Sequence, residues 1–203
     1  MKEIFIVTHT QATHHVDRLV GGWFDSELTA KGLNDAKACG RRLHELELDG
    51  VPIYSSDLTR TRQTAQAIAE CLGSPIETDA RLREMSFGTA EGRSVKEVGA
   101  AIPSHEGNNR LDYRNRFGGE TKRELASRLY DVMEEIGSRE RAIVCTHGFA
   151  TTFLIACWIG MPIESVGYVN FRVRPGSITS LVEDNVYANR AVRYLSDMSH
   201  LDS

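Results

Sequence analysis

Two short stretches of this chain share nearly the same pattern, and together they constrain its fold more than any other feature. An apolar run ends in Thr-His over residues 4–9, and a second one does so over residues 142–147. Compact apolar runs rich in β-branched residues and followed by helical patterns are typical of buried strands in a parallel sheet. Ligands of open α/β sheets bind beyond the carboxyl ends of the strands, so we expect His9 and His147 at the ligand-binding edge.

The remaining sequence alternates between strand-like and helix-like patterns, which favours a single α/β domain over residues 1–203. Predicted strands cover residues 2–8, 51–54, 75–78, 141–146, 177–183 and 190–195. Predicted helices cover residues 30–47, 58–72, 94–101, 120–136 and 148–158. We expect Thr29 to cap the first of these helices, and Ser55-Ser56-Asp57 to cap the second.

Composition argues against several classes of protein. Lys and Arg number 24 against 28 Asp and Glu, a net charge of −4, and no basic run suggests a nucleic-acid partner. No apolar run approaches the ~18 residues needed to span a bilayer, and the N-terminus lacks a signal-peptide pattern. The four cysteines are widely spaced, which favours reduced core thiols. We expect a cytoplasmic protein without a membrane partner, and the sequence does not indicate its oligomeric state.

Two further residues are candidates for chemistry. Arg60 follows a strand-to-helix junction, where free backbone N–H groups of the first helical turn and a guanidinium together suit an anion such as phosphate. Glu84 lies between apolar neighbours, where a raised pKa would suit a general acid. The alternative is that both side chains are ordinary solvated surface residues.

A metal site is the outside alternative. His9 and His147 do not define one, because no third ligand follows at a suitable spacing. His14 and His15 come soon after His9, so a histidine cluster stays open, although supporting carboxylates are not evident. We expect no metal ion and no cofactor.

The order and spacing of several motifs resemble those of the histidine phosphatase superfamily, the phosphoglycerate-mutase-like group. The resemblance covers nearly the whole chain. Its segments are Thr-His-Thr at 8–10, Gly-x-x-Asp-x-x-Leu-Thr at 22–29, Ser-x-Leu-x-Arg at 56–60 with Gln-Thr-Ala at 63–65, Leu-x-Glu at 82–84 with Gly88, Gly-Gly-Glu at 118–120, His-Gly at 147–148 and the tail 196–201.

The resemblance implies a three-layer sandwich with a mostly parallel central sheet flanked by helices. It also implies a metal-independent phosphatase that acts on small phosphorylated metabolites. His9 would attack phosphorus and become phosphohistidine, while Arg60 and His147 hold the phosphoryl oxygens. Glu84 would protonate the leaving oxygen and then take a proton from the attacking water.

The chain departs from the family pattern around the nucleophile. The family's Arg-His-Gly reads Thr8-His9-Thr10 here, and the family's phosphate-binding Asn falls at His15. One interpretation is that positive charge is rearranged, with His15 or Arg18 supplying it and the Thr8 hydroxyl donating a hydrogen bond. We therefore expect Thr8, His15, Arg18 and Gly22 to contact substrate. The other interpretation is a catalytically impaired protein that only binds a phosphorylated ligand.

Residues 103–118 show no clear period and form a candidate lid that carries Arg110, Arg114 and Arg116. A phosphoglycerate-type mutase needs a long basic lid to exclude water and hold a bisphosphorylated cofactor. Because this segment is short, the sequence favours a phosphatase and leaves the mutase as an alternative.

Overall fold

One six-stranded sheet organises the residues that the computed structural model describes, which are 1–99 and 110–201. The strands are β1 (Lys2–Thr8), β2 (Ile53–Ser55), β3 (Ile76–Thr78), β4 (Arg141–Thr146), β5 (Ile178–Glu183) and β6 (Arg190–Asp197). Their spatial order is β3-β2-β4-β1-β5-β6. The first four strands in that order run parallel, and β5 and β6 pair antiparallel at the other edge.

Helices cover both faces of this sheet. They are α1 (Thr13–Val16), α2 (Ala30–Glu45), α3 (Thr59–Leu72), α4 (Val95–Gly99), α5 (Lys122–Gly137) and α6 (Gly148–Trp158). Alternate residues of β1 enter two separate cores, since successive side chains of a strand point to opposite faces. Ile4 and Ile6 pack with residues of α5 and α6, whereas Phe5 and Val7 pack with residues of α2 and α3. The three-layer, mostly parallel arrangement predicted from the sequence is therefore confirmed.

The two Thr-His units lie side by side. Strands β1 and β4 are parallel neighbours, and their register pairs Thr8 with Thr146. The backbone N–H of His9 donates to the carbonyl of Thr146 at 2.9 Å. The carboxyl ends of both strands thus bring His9 and His147 to the same edge of the sheet.

One predicted helix cap is confirmed and the other is wrong. The Thr29 side chain accepts a hydrogen bond from the Gly32 N–H at the start of α2. The helix α3 receives no capping bond from the side chain of its N-cap residue, Leu58. Instead, the Asp25 carboxylate accepts from the N–H and the hydroxyl of Thr59, at 2.7 and 2.8 Å. The cap therefore comes from a loop 34 residues away, which sequence-local reasoning could not find.

The candidate lid is only partly described, since residues 103–109 lie outside the described ranges. In the remainder, Arg114 forms an ion pair with Glu124 at the start of α5, and Arg110 stacks over the Tyr168 ring. These two guanidinium groups therefore contact protein side chains.

Two smaller expectations have mixed outcomes. All four cysteines are free thiols, but Cys71 is exposed, so it is not a core thiol. Among residues 1–99 and 110–201, no helix combines the length and the apolar character that crossing a bilayer requires.

Candidate active site

A cavity of about 300 Å³ opens at the carboxyl edge of the sheet, where β1 and β4 end. Six of the eight predicted site residues line it: Thr8, His9, His15, Gly22, Arg60 and Glu84. His14 and Gly148 also line it. The other two predicted residues, Arg18 and His147, are not among the lining residues. Segments far apart in the sequence thus meet around one small space.

Both ring nitrogens of His9 have hydrogen-bond partners: Nδ1 contacts the Thr10 carbonyl, and Nε2 contacts the Arg60 guanidinium. Its Nδ1 lies 2.8 Å from the carbonyl of Thr10, and a carbonyl can only accept, so Nδ1 carries the proton. The Nε2 atom then has the lone pair, and Arg60 Nε donates to it at 3.3 Å. Burial, together with Arg60 and His15, lowers the pKa of His9 well below its usual value. His9 is therefore an uncharged imidazole near neutral pH, with the lone pair on Nε2.

Arg60 is a buried cation at the first turn of α3, with 1 % of its surface exposed. Two of its N–H groups donate to the carbonyls of Gly22 and Phe24, at 2.6 and 2.8 Å, and a third donates to His9. A guanidinium has five N–H donors, so two have no acceptor among the described residues. Burial lowers the pKa of Arg60 to about 10, so the group stays charged at neutral pH.

Gly22 shapes the loop that holds Arg60. It adopts a left-handed backbone with φ of 56°. A Cβ here would lie 2.8 Å from the Glu91 carboxylate and 2.9 Å from the Phe87 ring. Glycine therefore satisfies both the conformation and the close packing, and leaves its carbonyl facing Arg60.

Glu84 lies against the N-terminus of α6. Its Oε1 accepts from the N–H groups of Met85 and Ala150, and its Oε2 accepts from Phe149, all at 2.9–3.0 Å. Burial raises the pKa of Glu84, while these donors and Arg60 limit the rise. Because Oε1 already accepts two bonds, Oε2 is the oxygen with capacity left for a proton. A raised pKa within reach of the cavity suits a general acid.

His147 is the N-cap residue of α6 and is fully buried behind the cavity. Its ring meets the His9 ring edge-on, with centroids 5.2 Å apart. Its Nε2 lies 3.0 Å from the Ser56 hydroxyl, and its buried Nδ1 has no hydrogen-bond partner among the described residues. Burial and Arg60 lower the pKa of His147 well below its usual value. Its predicted contact with a phosphoryl group stays a prediction.

His15 and His14 form one wall of the cavity. The His15 ring stacks on His9 with centroids 5.3 Å apart, and its Nδ1 accepts from the Ala12 N–H at 3.2 Å. Burial and Arg60 lower the pKa of His15, so it does not supply the positive charge considered from the sequence. The neutral ring carries its proton on Nε2, which makes it an uncharged donor. His14 Nδ1 lies 2.6 Å from the Ser26 hydroxyl, and burial lowers the pKa of His14 to about 3.

Thr8 and Arg18 differ in where they lie. Thr8 is 3 % exposed and lines the cavity beside His9. Arg18 lines a neighbouring cavity on the far side of His14 and His15. It has a left-handed backbone with φ of 54°, and its carbonyl accepts from the Val95 N–H. The structure therefore does not bring Arg18 to the space beside His9.

Arg128 of α5 is a site residue that sequence reasoning missed. Its guanidinium donates to the carbonyls of Arg81, Arg83 and Glu84 and to both oxygens of Glu120. One side chain thus anchors the segment that carries Glu84. The available sequence signal was Gly-Gly-Glu at 118–120, which supplies Glu120, although nothing in that motif points to Arg128.

A family model places the chain among known proteins. The model described as "Histidine phosphatase superfamily (branch 1)" matches residues 4–193. A protein of Salmonella choleraesuis (strain SC-B67) named "Probable phosphoglycerate mutase GpmB" is 31 % identical over 213 residues. That match covers 100 % of this chain and 96 % of the relative.

Solved structures share the fold. A mycobacterial glucosyl-3-phosphoglycerate phosphatase in complex with VO3 superposes with a TM-score of 0.82 at 22 % identity, covering 97 % of this chain and 99 % of that chain. The alpha-ribazole phosphatase from Shigella flexneri superposes with a TM-score of 0.78 at 23 % identity, covering 96 % of each chain.

Proposed function

Since this chain belongs to the histidine phosphatase superfamily, branch 1, we propose that it is a metal-independent phosphatase of small phosphorylated metabolites, acting through phosphohistidine at His9. One observation carries the proposal. The His9 Nε2 atom that carries the lone pair, the Arg60 guanidinium that donates to it and the Glu84 carboxyl meet in a single cavity. These are the nucleophile, the charge and the proton donor that the reaction requires.

In the first step, His9 Nε2 attacks phosphorus and the bond from phosphorus to the leaving oxygen breaks. The Thr10 carbonyl holds the Nδ1 proton and stabilises the positive charge that develops on the ring. Glu84 transfers a proton to the leaving oxygen, so the product departs as an alcohol. Binding of the phosphoryl group displaces Arg60 Nε from His9 Nε2, which frees the lone pair for the attack.

In the second step, water attacks the phosphohistidine and the N–P bond breaks. Glu84, now ionised, takes the proton from that water and is restored. Phosphate leaves, and His9 Nε2 regains its lone pair. Each proton given is returned, so Glu84 serves as acid and then as base.

Donors other than a second arginine surround the phosphoryl group. Arg60 keeps two N–H groups for its oxygens, and His15 offers a neutral Nε2–H. The Thr8 hydroxyl adds a third donor beside the nucleophile. His147 does not line the cavity, but its Nδ1, which has no partner among the described residues, would be a further donor if the phosphoryl group reaches it. Phosphoryl transfer depends mainly on such positioning and charge, which is why the arrangement supports turnover although Thr8 replaces arginine.

The mutase remains a second candidate because the relative that is 31 % identical is named a probable phosphoglycerate mutase. Against it stand the engaged side chains of Arg110 and Arg114, since neither lines the cavity. A phosphatase needs water to reach the phosphohistidine, and the cavity that the described residues form is open to solvent, which suits that step.

The proposal is tested by trapping the intermediate. The wild-type protein incubated with a labelled aryl phosphate is expected to form an acid-labile, base-stable phosphoprotein and to release phosphate. His9→Ala is expected to abolish both, whereas His44→Ala, which changes an exposed histidine paired with Asp49, is expected to match wild type. Unchanged turnover in His9→Ala contradicts the mechanism.

Two further measurements separate the alternatives. A bisphosphorylated glycerate that stimulates isomerisation of a monophosphoglycerate would favour the mutase. Ligand-induced thermal stabilisation without phosphate release across a broad substrate panel would favour a binding protein.

A further inference from the structure

Three imidazoles meet in one corner of the cavity: those of His9, His14 and His15. One ligand nitrogen from each lies within 4.8 Å of the others. Ring centroids are 4.1 Å apart for His14 and His15, and 5.3 Å apart for His9 and His15. We propose that this histidine trio binds one divalent transition-metal ion of the Zn²⁺ type, and that the bound ion blocks His9 as a nucleophile.

In two histidines of the trio, His9 and His14, one ring nitrogen already has an oxygen partner of the kind that metal-binding imidazoles use. An imidazole ligand commonly donates its other N–H to an oxygen, which fixes the tautomer and the ring. His9 does so through Nδ1 to the Thr10 carbonyl. The Ser26 hydroxyl rotates freely enough to accept from His14 Nδ1 at 2.6 Å. Both Nε2 atoms then carry lone pairs; the ion would reach that of His9 by displacing Arg60 Nε, which donates to it at 3.3 Å.

The backbone of Gly21 packs closely against the ring of His14, the second of these histidines. A Cβ at Gly21 would lie only 3.0 Å from His14 Nε2. Glycine at this position therefore avoids a tight contact with that nitrogen. A larger residue would cover the atom on which coordination depends.

His15 is the adjustable ligand. Its Nδ1 now accepts from the Ala12 N–H, so its Nε2 carries the proton of the neutral ring. Coordination requires the ring to give up that 3.2 Å bond and turn, which its exposed position permits. We therefore expect His15 to contribute less to affinity than His14.

The charges and ligand atoms around the trio determine which metal ion it prefers and how tightly that ion binds. The three rings are uncharged at neutral pH, so no proton must be displaced. Arg60 Nε, 3.3 Å from His9 Nε2, opposes a cation, and nearby Asp25, Glu84 and Glu91 offset part of that repulsion. Imidazoles suit Zn²⁺, Cu²⁺ or Ni²⁺, whereas Mg²⁺ prefers oxygen ligands. A site with three protein ligands also leaves a position for water or phosphate.

Calorimetric titration with Zn²⁺ tests the site without substrate. It uses the full chain at pH 7.5 in a phosphate-free buffer, with Cys71→Ser as background to remove the exposed thiol. We expect one ion per chain, binding weakened more than about tenfold in His14→Ala, and about tenfold in Ser26→Ala. His44→Ala is expected to match the background protein, and Mg²⁺ to give no binding heat.

Absence of one-to-one binding, or equal affinity in the background protein and the Ser26→Ala variant, overturns the site. Ser26→Ala keeps all three imidazoles, so it decides the matter even where His14→Ala fails to fold. The inhibitory role alone rests on the proposed function: Zn²⁺ is expected to inhibit aryl phosphate hydrolysis competitively, and a chelator to reverse it. Binding without turnover contradicts only the phosphatase, whereas turnover without binding contradicts only the metal site.

Discussion

Glu84 sets the alkaline side of the expected pH profile. In the proposed mechanism, the active form has His9 unprotonated and Glu84 protonated. Burial raises the pKa of Glu84 from its usual 4.5, so kcat/KM is expected to fall as pH rises through that higher value. Glu84→Gln is expected to remove this fall and to lower kcat by about 10²- to 10⁴-fold on alkyl phosphates. The loss should be smaller for an aryl phosphate with an acidic phenol, which leaves without a proton.

The measurement is a pH–rate profile for both substrates in wild type and Glu84→Gln. Glu77→Gln, which changes an exposed glutamate of β3, is the matched control. An unchanged alkaline limb in Glu84→Gln contradicts the assignment of the general acid.

Thr8 tests whether the cavity has been rebuilt around the missing arginine. Thr8 is buried beside His9, in a cavity of about 300 Å³ that two further imidazoles already narrow. Thr8→Arg places a second cation near buried Arg60 and fills space that the phosphoryl group needs, so kcat/KM is expected to fall. Thr8→Ala, which removes one hydroxyl donor, is expected to lower it about tenfold or less. A gain of more than about tenfold in Thr8→Arg would instead show an impaired site.

The segment that carries Glu84 depends on α5. Arg128 uses all five N–H groups on three carbonyls of that segment and on Glu120. A lysine offers only three donors from a point, so Arg128→Lys is expected to lower the free energy of unfolding by about 2 kcal/mol. Because the Glu84 carboxyl is then less well positioned to protonate the leaving oxygen, kcat is expected to fall more for alkyl phosphates, which need that proton, than for aryl phosphates.

Urea unfolding measures the loss of stability, and the ratio of kcat for alkyl phosphates to kcat for aryl phosphates measures the effect on Glu84. The exposed Arg139→Lys is the control for the loss of a guanidinium near the same helix. A stability loss with an unchanged ratio between substrates would show that Arg128 is structural only.

The clustering of neutral histidines gives the whole molecule a specific sensitivity to acid. Among the described residues, burial lowers the pKa of five histidines: His9, His14, His15, His147 and His200. Below pH 6.5 these histidines take up protons in the unfolded chain but stay unprotonated in the folded chain. The free energy of unfolding is therefore at its full value above pH 6.5 and falls as the pH decreases. Each such histidine contributes a slope of at most about 1.4 kcal/mol per pH unit.

Urea unfolding between pH 7.5 and 5 checks this slope. His14→Gln keeps an amide donor near Ser26 and is expected to flatten the curve, because the pKa of His14 lies at about 3 and its penalty persists across the window. His44→Gln is the control. Equal slopes in wild type and His14→Gln would contradict the account.

Much of the architecture could be predicted because its signals are local. The strand over residues 141–146 and the helix over residues 148–158 have the predicted boundaries, since an apolar run and its flanking residues are read within one segment. The pairing of Thr8 with Thr146 follows from two such strands lying parallel. The cap of α3 by Asp25 did not follow, because its two partners are 34 residues apart.

The sequence by itself determined the α/β class, the ends of β1 and β4 and the choice of His9, Arg60, Glu84 and His147 as candidate site residues, because motif order and hydrophobic period are carried by the chain directly. Only the tertiary structure decided the chemical state and the placement of the candidate site residues. Which nitrogen of His9 carries a proton, that His15 is uncharged, and that Arg18 lies outside the cavity all depend on burial and on partners from distant segments. Desolvation and hydrogen bonding are properties of the folded surroundings, and no local pattern contains them.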